Sequence, residues 1–283
     1  MRTLNGAPGM ALMRAAGAAL VLALVLAVPT RAAEGAAAEG NAKAEEEGHA
    51  ANAARDFKHW RAENEVSNVA SLQRGARNFM GYCVGCHSLK YVRYSRLAED
   101  LEIPPEQLEK YLLPPGDKPA DYIITSMPAQ DAANWFGKTP PDLSLIARSR
   151  GPDYLYQLWK TYYVDPSKPT GVNNLRLEGI AMPHVLSELE GAKKARFKTE
   201  ETKGEDGKPH TERVFDGFDI VVPGRLTPDE YDAFVRDTVN FLDYASEPVQ
   251  VKRRSLGVWV VLFLIAFTWL TMLLKKEYWK DVH

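Results

Sequence analysis

The chain has 283 residues, of which 45% are hydrophobic and 25% charged, and its formal net charge is −2. The charge is unevenly distributed, because residues 34–251 contain 35 acidic and 26 basic side chains, a formal charge of −9. An acidic central segment argues against a nucleic-acid partner and favours a basic one.

The first 33 residues are predicted to be a secretory signal peptide. Arg2 and Arg14 precede an apolar run over residues 15–28, and small residues follow the run. The run is short for a membrane span, and small residues suit cleavage by a signal peptidase. The following segment, 34–56, is rich in alanine and glutamate and is predicted to be a flexible acidic arm.

Three segments of the central region carry helix signals. The spacing of apolar residues predicts helices over Ala70–Tyr82 and Asp153–Tyr163. A third begins at Thr227, where an N-cap threonine, a proline and a capping-box glutamate occur together, and it ends near Ser246. We expect the first and last helices to cross, with Gly75 allowing close approach of an aromatic side chain such as Phe241.

Strand signals are few. Only Arg213–Val222 suggests a short strand pair, across Gly217. Gly191–His210 is polar and is predicted to be a solvent-exposed insertion, with a hairpin tipped by Asp206-Gly207. The fold class is therefore mainly α, with polar loop insertions.

Cys83-Val84-Gly85-Cys86-His87 contains both cysteines of the chain, in the spacing that attaches c-type haem. The two thiols would add across the haem vinyl groups and His87 would ligate iron. A thioredoxin-like dithiol and a structural cysteine pair are the alternatives. A closed zinc site would need four ligands, and the sequence offers no second cysteine or histidine pair to complete one.

The residues alone leave three candidates for the second axial ligand, which are Met182, Met127 and a histidine such as His184. Both methionines precede a proline, which favours an extended loop conformation. The haem propionates need donors, and arginine is the usual one. Arg148 and Arg150 follow the Pro140-Pro141 turn, and in a helix only one of them can point at the haem.

Near the C-terminus, Leu256–Leu274 is 19 residues long and has no charged side chain. At about 1.5 Å per residue it spans roughly 28 Å, enough for one transmembrane helix. Residues 249–255 are predicted to be a linker and 275–283 a tail. Basic residues flank the span equally, so the signal peptide determines the orientation: residues 57–248 are exported and the tail is cytoplasmic.

The sequence resembles the cytochrome c1 family, the haem subunit of the ubiquinol-cytochrome c reductase (bc1) complex, in its bacterial branch. The resemblance covers about residues 57–283. It rests on Cys83–Leu89, Pro140–Ser144, Pro169–Gly171, Ile180–His184 and Ala245–Pro248, which occur in that order.

The resemblance implies a c-type cytochrome domain with one covalently attached haem c, held by Cys83 and Cys86. It implies that His87 and Met182 ligate the iron. It further implies that Arg150 reaches a propionate, and that Pro141 and Tyr154 line the haem pocket. Some relatives carry an additional disulfide for which this chain has no cysteines, so packing must stabilise the loop around Met182.

The implied function is one-electron transfer from the Rieske iron-sulfur protein to a basic cytochrome c, in a dimeric complex that contains cytochrome b. The implied location is the bacterial inner membrane, with the haem domain in the periplasm. Three other functions stay open from the sequence. One is a membrane-anchored c-type cytochrome of another respiratory complex, and another is an exported thiol-disulfide oxidoreductase using Cys83 and Cys86. The third is a haem catalyst whose sixth iron site is open.

Overall fold

A computed structural model describes residues 56–203 and 209–281. The predicted signal peptide, nearly all of the acidic arm and the Asp206-Gly207 tip lie outside the described residues. The described part is mainly helical, as expected, and its strands form three two-stranded antiparallel sheets.

A short 3-10 turn at Phe57–His59 precedes the regular elements, and a π-helical turn occupies Leu108–Leu112. The helices are α1 (Val69–Tyr82), α2 (Tyr94–Asp100), α3 (Pro105–Gln107), α4 (Ala129–Phe136), α5 (Ile146–Arg150), α6 (Pro152–Lys160), α7 (Ser187–Glu190), α8 (Pro228–Ser246) and α9 (Gln250–Tyr278). The strands are β1 (Leu89–Arg93), β2 (Tyr122–Ile123), β3 (Tyr162–Val164), β4 (Val172–Asn174), β5 (Gly191–Lys203) and β6 (Pro209–Pro223).

Helices α1 and α8 cross at the centre of the hydrophobic core, which confirms the expected helix pair. A β-carbon added to Gly75 would lie 2.1 Å from the carbonyl oxygen of Asp237 and 2.6 Å from Cβ of Phe241. The Phe79 and Phe241 rings pack one helical turn further on, with centroids 5.7 Å apart. Only glycine permits this helix separation, so the crossing fixes the position of α1 and of the turn that follows it.

A polar cluster ties the same two helices together. The hydroxyl of Ser71 donates to Asp237 Oδ1 at 2.6 Å, and Arg74 Nε donates to Asp237 Oδ2 at 2.5 Å. This hydrogen bond, followed by the charge of the carboxylate, raises the pKa of Arg74 against the opposing effect of burial. The largely buried carboxylate is thus fully partnered, as a buried charge requires.

The capping signals of α8 were predicted correctly. The hydroxyl of Thr227 accepts from the Glu230 backbone, and the Glu230 carboxylate accepts from the Thr227 backbone. The helix then runs from Pro228 to Ser246. Its start is locally encoded, because the capping groups lie within four consecutive residues.

The helix predicted over Asp153–Tyr163 ends earlier, at Lys160. Tyr162 and Tyr163 instead belong to β3, where Tyr162 pairs with Asn174. The hydroxyl of Thr161 donates back to the carbonyl of Gln157 at 2.7 Å, where the chain leaves the helix. Pairing with the next strand, β4, therefore overrides the helical spacing of the last residues.

The prediction of a short strand pair across Gly217 is wrong. The whole of Arg213–Val222 lies in β6, which pairs with β5 from Gly191↔Pro223 to Lys203↔Pro209. Gly217 lies opposite Arg196, next to a shift of register. The predicted insertion is thus one arm of a long hairpin, held by cross-strand pairs such as Lys198–Asp216 and Phe197–Phe215.

Helix α9 is 29 residues long and is the one helix of the described residues with the length and apolar composition to cross a membrane. Its apolar side chains are exposed from Leu256 to Leu274. Residues 250–255, expected to be a linker, form its first turns. Tyr278 and Trp279 lie at its end beside lysines, which suits a membrane interface.

Candidate haem-binding site

The two cysteines lie on a tight turn at the end of α1. The amide of Cys83 still donates to the carbonyl of Phe79 at 2.8 Å, and the amides of Cys86 and His87 donate to the carbonyl of Cys83 at 3.0 and 2.9 Å. Cys83 is buried and Cys86 is half-buried. The helix therefore presents both thiols and the imidazole on one compact turn.

The environment of Cys83 does not suit the attacking thiol of a redox dithiol. Burial, followed by the neighbouring Cys86, raises the pKa of the Cys83 thiol to about 12. A nucleophilic cysteine needs the opposite shift, since only the thiolate attacks a disulfide.

The imidazole ring of His87 makes one hydrogen bond that the structure describes. Its Nδ1 donates to the carbonyl oxygen of Pro141 at 2.7 Å, because a carbonyl can only accept. Burial lowers the pKa of His87, partly opposed by this hydrogen bond and by Asp142. The ring is therefore neutral, with its lone pair on Nε2, which is the form that ligates iron.

The segment that carries Pro141 is itself attached to the haem-binding turn. The amide of Leu143 donates to the carbonyl of Ser88 at 2.9 Å, and the amide of Lys90 donates to Asp142 Oδ2 at 3.0 Å. Helix α1 precedes His87 in the chain, and the Pro140–Ser144 motif, which follows it, orients the imidazole ring. This gives the predicted pocket residue Pro141 a defined contact with the imidazole.

The two candidate methionines have different surroundings. Met182 packs against the hydrophobic core that includes Cys83, Leu143 and Ala147, whereas Met127 lies outside that cluster. Met127 instead lines a cavity of about 260 Å³ beside Cys86. The core contact favours Met182, because packing restrains the side chain of a residue that would serve as an axial ligand.

His184, the other candidate ligand, is already engaged through one nitrogen. Its Nε2 is 2.8 Å from Glu190 Oε2, and its ring stacks on that of Tyr162 at 4.6 Å between centroids. Its Nδ1 is buried without a described hydrogen-bond partner.

Arg150 and Arg176 lie over the same aromatic ring. Their guanidinium carbons are 5.6 and 4.5 Å from the centroid of Tyr154. Neither arginine forms an ion pair with a carboxylate in the part of the chain that the structure describes, and Arg176 Nε is buried without a hydrogen-bond partner. The two guanidinium groups lie close together, and Arg176 Nε has a hydrogen still to donate. They therefore suit a ligand with two negative charges, such as the pair of haem propionates.

Arg176 was not singled out from the sequence. It is an isolated arginine, and no spacing or motif marks it. Only the fold brings it to Tyr154.

The chain is similar to known proteins over most of its length. The family model described as the cytochrome C1 family matches residues 114–206 and 224–282. A cytochrome c1 of Allochromatium vinosum is 48% identical, over 77% of this chain and 87% of its own length.

The chain belongs to the cytochrome c1 family. It is also similar to an ammonia monooxygenase gamma subunit of Nitrosomonas europaea, at 41% identity over 75% of this chain and 84% of that protein. A cytochrome c1 of Rhodospirillum rubrum is 32% identical over 75% and 81%.

Membership of this family establishes the general function. The protein is a membrane-anchored electron-transfer subunit of a bc1 complex that contains cytochrome b, and it carries one covalently attached haem c. The family assignment also excludes the thiol-disulfide oxidoreductase alternative.

Proposed function

We propose that this cytochrome c1 relays single electrons from the Rieske iron-sulfur protein to a cytochrome c. Cys83 and Cys86 would hold the haem, with His87 and Met182 as axial ligands. The observation that carries the assignment is the hydrogen bond from His87 Nδ1 to the Pro141 carbonyl at 2.7 Å. This hydrogen bond occupies Nδ1 and leaves Nε2 free to ligate iron. His87 directly follows Cys86, which would hold the haem.

Each residue has a separate task in electron transfer. The two cysteines fix the position of the cofactor relative to α1, and His87 and Met182 determine the stability of each redox state. When bound, the haem iron supplies a one-electron couple, and methionine ligation gives it a high potential. Two protein ligands held in place by the fold would need little rearrangement between redox states, which suits a relay.

The propionates would be held by Arg150 and Arg176, with Tyr154 orienting both guanidinium groups. Their contacts with the Tyr154 ring hold them ready for an anion, so binding requires little ordering of side chains. Because the charges of two arginines oppose oxidation of the nearby iron, they also raise its potential.

The proposed arrangement in the membrane follows from the two apolar segments of the sequence. Residues 1–33 would be removed after export, the acidic arm 34–56 and the domain 57–248 would lie in the periplasm, and α9 would cross the bacterial inner membrane. The tail, 275–283, would then be cytoplasmic. The proposal gives the haem domain access to both redox partners on the exported side.

Affinity purification of the full-length chain from detergent-solubilised membranes tests the proposal. We expect a haem-stained band at the size of this chain, together with cytochrome b and the Rieske protein, and quinol-dependent reduction of added cytochrome c. A haem-stained preparation that lacks the Rieske protein, or that does not reduce added cytochrome c, would contradict the proposed partners.

A further inference from the structure

The loop that carries Met182 has few attachments of its own. Over residues 180–182 the backbone takes part in one hydrogen bond that the structure describes, from the hydroxyl of Tyr162 to the carbonyl of Met182 at 3.3 Å. No covalent cross-link can hold the loop, because Cys83 and Cys86 are the only cysteines of the chain. Side-chain contacts must therefore restrain it.

Tyr162 contacts the loop at two points. Besides the hydrogen bond to Met182, its ring lies flat against that of His184, with 4.6 Å between centroids and 5° between planes. Tyr162 is 1% exposed and is anchored in β3, whose partner strand is β4. A rigid aromatic platform thus supports the residues on both sides of Pro183.

Glu190 and Lys193 hold His184 in position through hydrogen bonds. Its Nε2 donates to Glu190 Oε2 at 2.8 Å, and the other oxygen of Glu190 accepts from Lys193. Lys193 Nζ also donates to the carbonyl of Lys160 at 2.7 Å, at the end of α6. The chain of contacts therefore connects the Met182 loop with α7, β5 and α6.

All the members of this chain are largely buried. The side chains of His184, Glu190 and Lys193 are 7%, 11% and 12% exposed. Buried carboxylates and ammonium groups require specific partners, and here Glu190 pairs with both His184 and Lys193. Such a network holds one geometry, whereas an exposed ion pair exchanges with water.

We propose that Tyr162, His184, Glu190 and Lys193 form a brace that positions Met182 for iron ligation. The proposal rests on the proposed role of Met182 as axial ligand. The four residues are positioning residues, since none of them contacts the iron. Loosening the brace should leave haem attachment intact and increase the fraction of molecules in which Met182 has dissociated.

The test compares Tyr162→Phe and His184→Phe in the full-length, haem-loaded chain. The first removes the hydrogen bond to Met182 and keeps the stacked ring, and the second keeps a stacked ring and removes the bond to Glu190. Two readouts are needed: the methionine-to-iron charge-transfer band of the ferric haem, and the fraction of ferrous haem that binds carbon monoxide. Loss of one hydrogen bond should raise the ratio of dissociated to ligated Met182 about 5- to 10-fold in each variant.

Tyr163→Phe is the matched control, because Tyr163 is the next residue of β3 and packs on Phe197 instead. We expect the control to match the wild type in both readouts. Haem content, measured by staining, separates loss of ligation from loss of folding. If His184→Phe does not accumulate with haem, Tyr162→Phe decides, since it keeps every ring contact.

Haem-loaded Tyr162→Phe and His184→Phe proteins that match Tyr163→Phe in both readouts would overturn the brace. Failure of the underlying ligand assignment gives a different pattern. In that case the wild type itself lacks the methionine band, or the band survives in Met182→Leu.

Discussion

The orientation of His87 illustrates how the backbone determines side-chain chemistry at this site. A carbonyl acceptor on Nδ1 leaves only Nε2 for a metal, and the lowered pKa keeps the ring neutral. The Cys83–His87 motif could be identified from the sequence because haem attachment requires its parts to be adjacent. The Pro141 contact could not, since it joins residues far apart in the chain.

The two arginines over Tyr154 give a prediction at the scale of single residues. Arg176→Gln should lower the midpoint potential by about 30 to 60 mV, up to a tenfold change in the reduction equilibrium of a one-electron couple. The physical reason is that removing a positive charge stabilises the ferric state. Arg150→Gln should act in the same direction.

The measurement is a potentiometric titration of the haem absorption bands. Arg148→Gln is the matched control, because Arg148 lies on α5 with Arg150, whereas the guanidinium groups described over the Tyr154 ring are those of Arg150 and Arg176. A midpoint potential in Arg176→Gln equal to that of the control would remove Arg176 from the propionate site.

At the scale of elements, the crossing of α1 and α8 depends on the missing side chain of Gly75. Gly75→Ala should lower the free energy of unfolding by about 1 to 3 kcal/mol, because the new methyl group overlaps the Asp237 carbonyl and Phe241. Thermal or denaturant unfolding, followed by haem absorption and circular dichroism, measures this loss.

Gly81→Ala is the control on the same helix. A β-carbon at Gly81 meets nothing within 4 Å, so alanine should be neutral or stabilising by up to about 1 kcal/mol. Equal stability of the two variants would contradict the close-packed crossing.

The elements differ in how far the sequence predicts them. Helices α1 and α8 carry their own caps and apolar spacing, so local signals suffice. The first two residues of β3 continue the apolar spacing of α6, and their pairing with β4 has no comparable local signal. The sequence predicts a hairpin at Asp206-Gly207 but not its length, because the long pairing is stabilised by contacts such as Lys198–Asp216 that only the folded register brings together.

At the scale of the whole molecule, the acidic charge of residues 34–251 predicts electrostatic docking of a basic cytochrome c. Electron transfer to that acceptor should slow as ionic strength rises, since screening shortens the range of attraction to about 8 Å at physiological salt.

The acidic arm gives a second prediction. Deleting residues 34–54 should also slow electron transfer at low salt, because the deletion removes negative charge from the docking region. Stopped-flow oxidation of the reduced chain measures both effects, and rates unaffected by salt and by the deletion would disprove the docking role.

A redox-titrated optical spectrum of the purified chain tests directly whether His87 and Met182 ligate the haem iron. We predict a low-spin c-type spectrum with the methionine band, and in Met182→Leu the loss of that band and a midpoint potential at least about 0.1 V lower, within the roughly 0.8 V that axial ligands span. Met127→Leu should match the wild type. An unchanged spectrum and potential in Met182→Leu would contradict the account and assign the ligand to Met127 or His184.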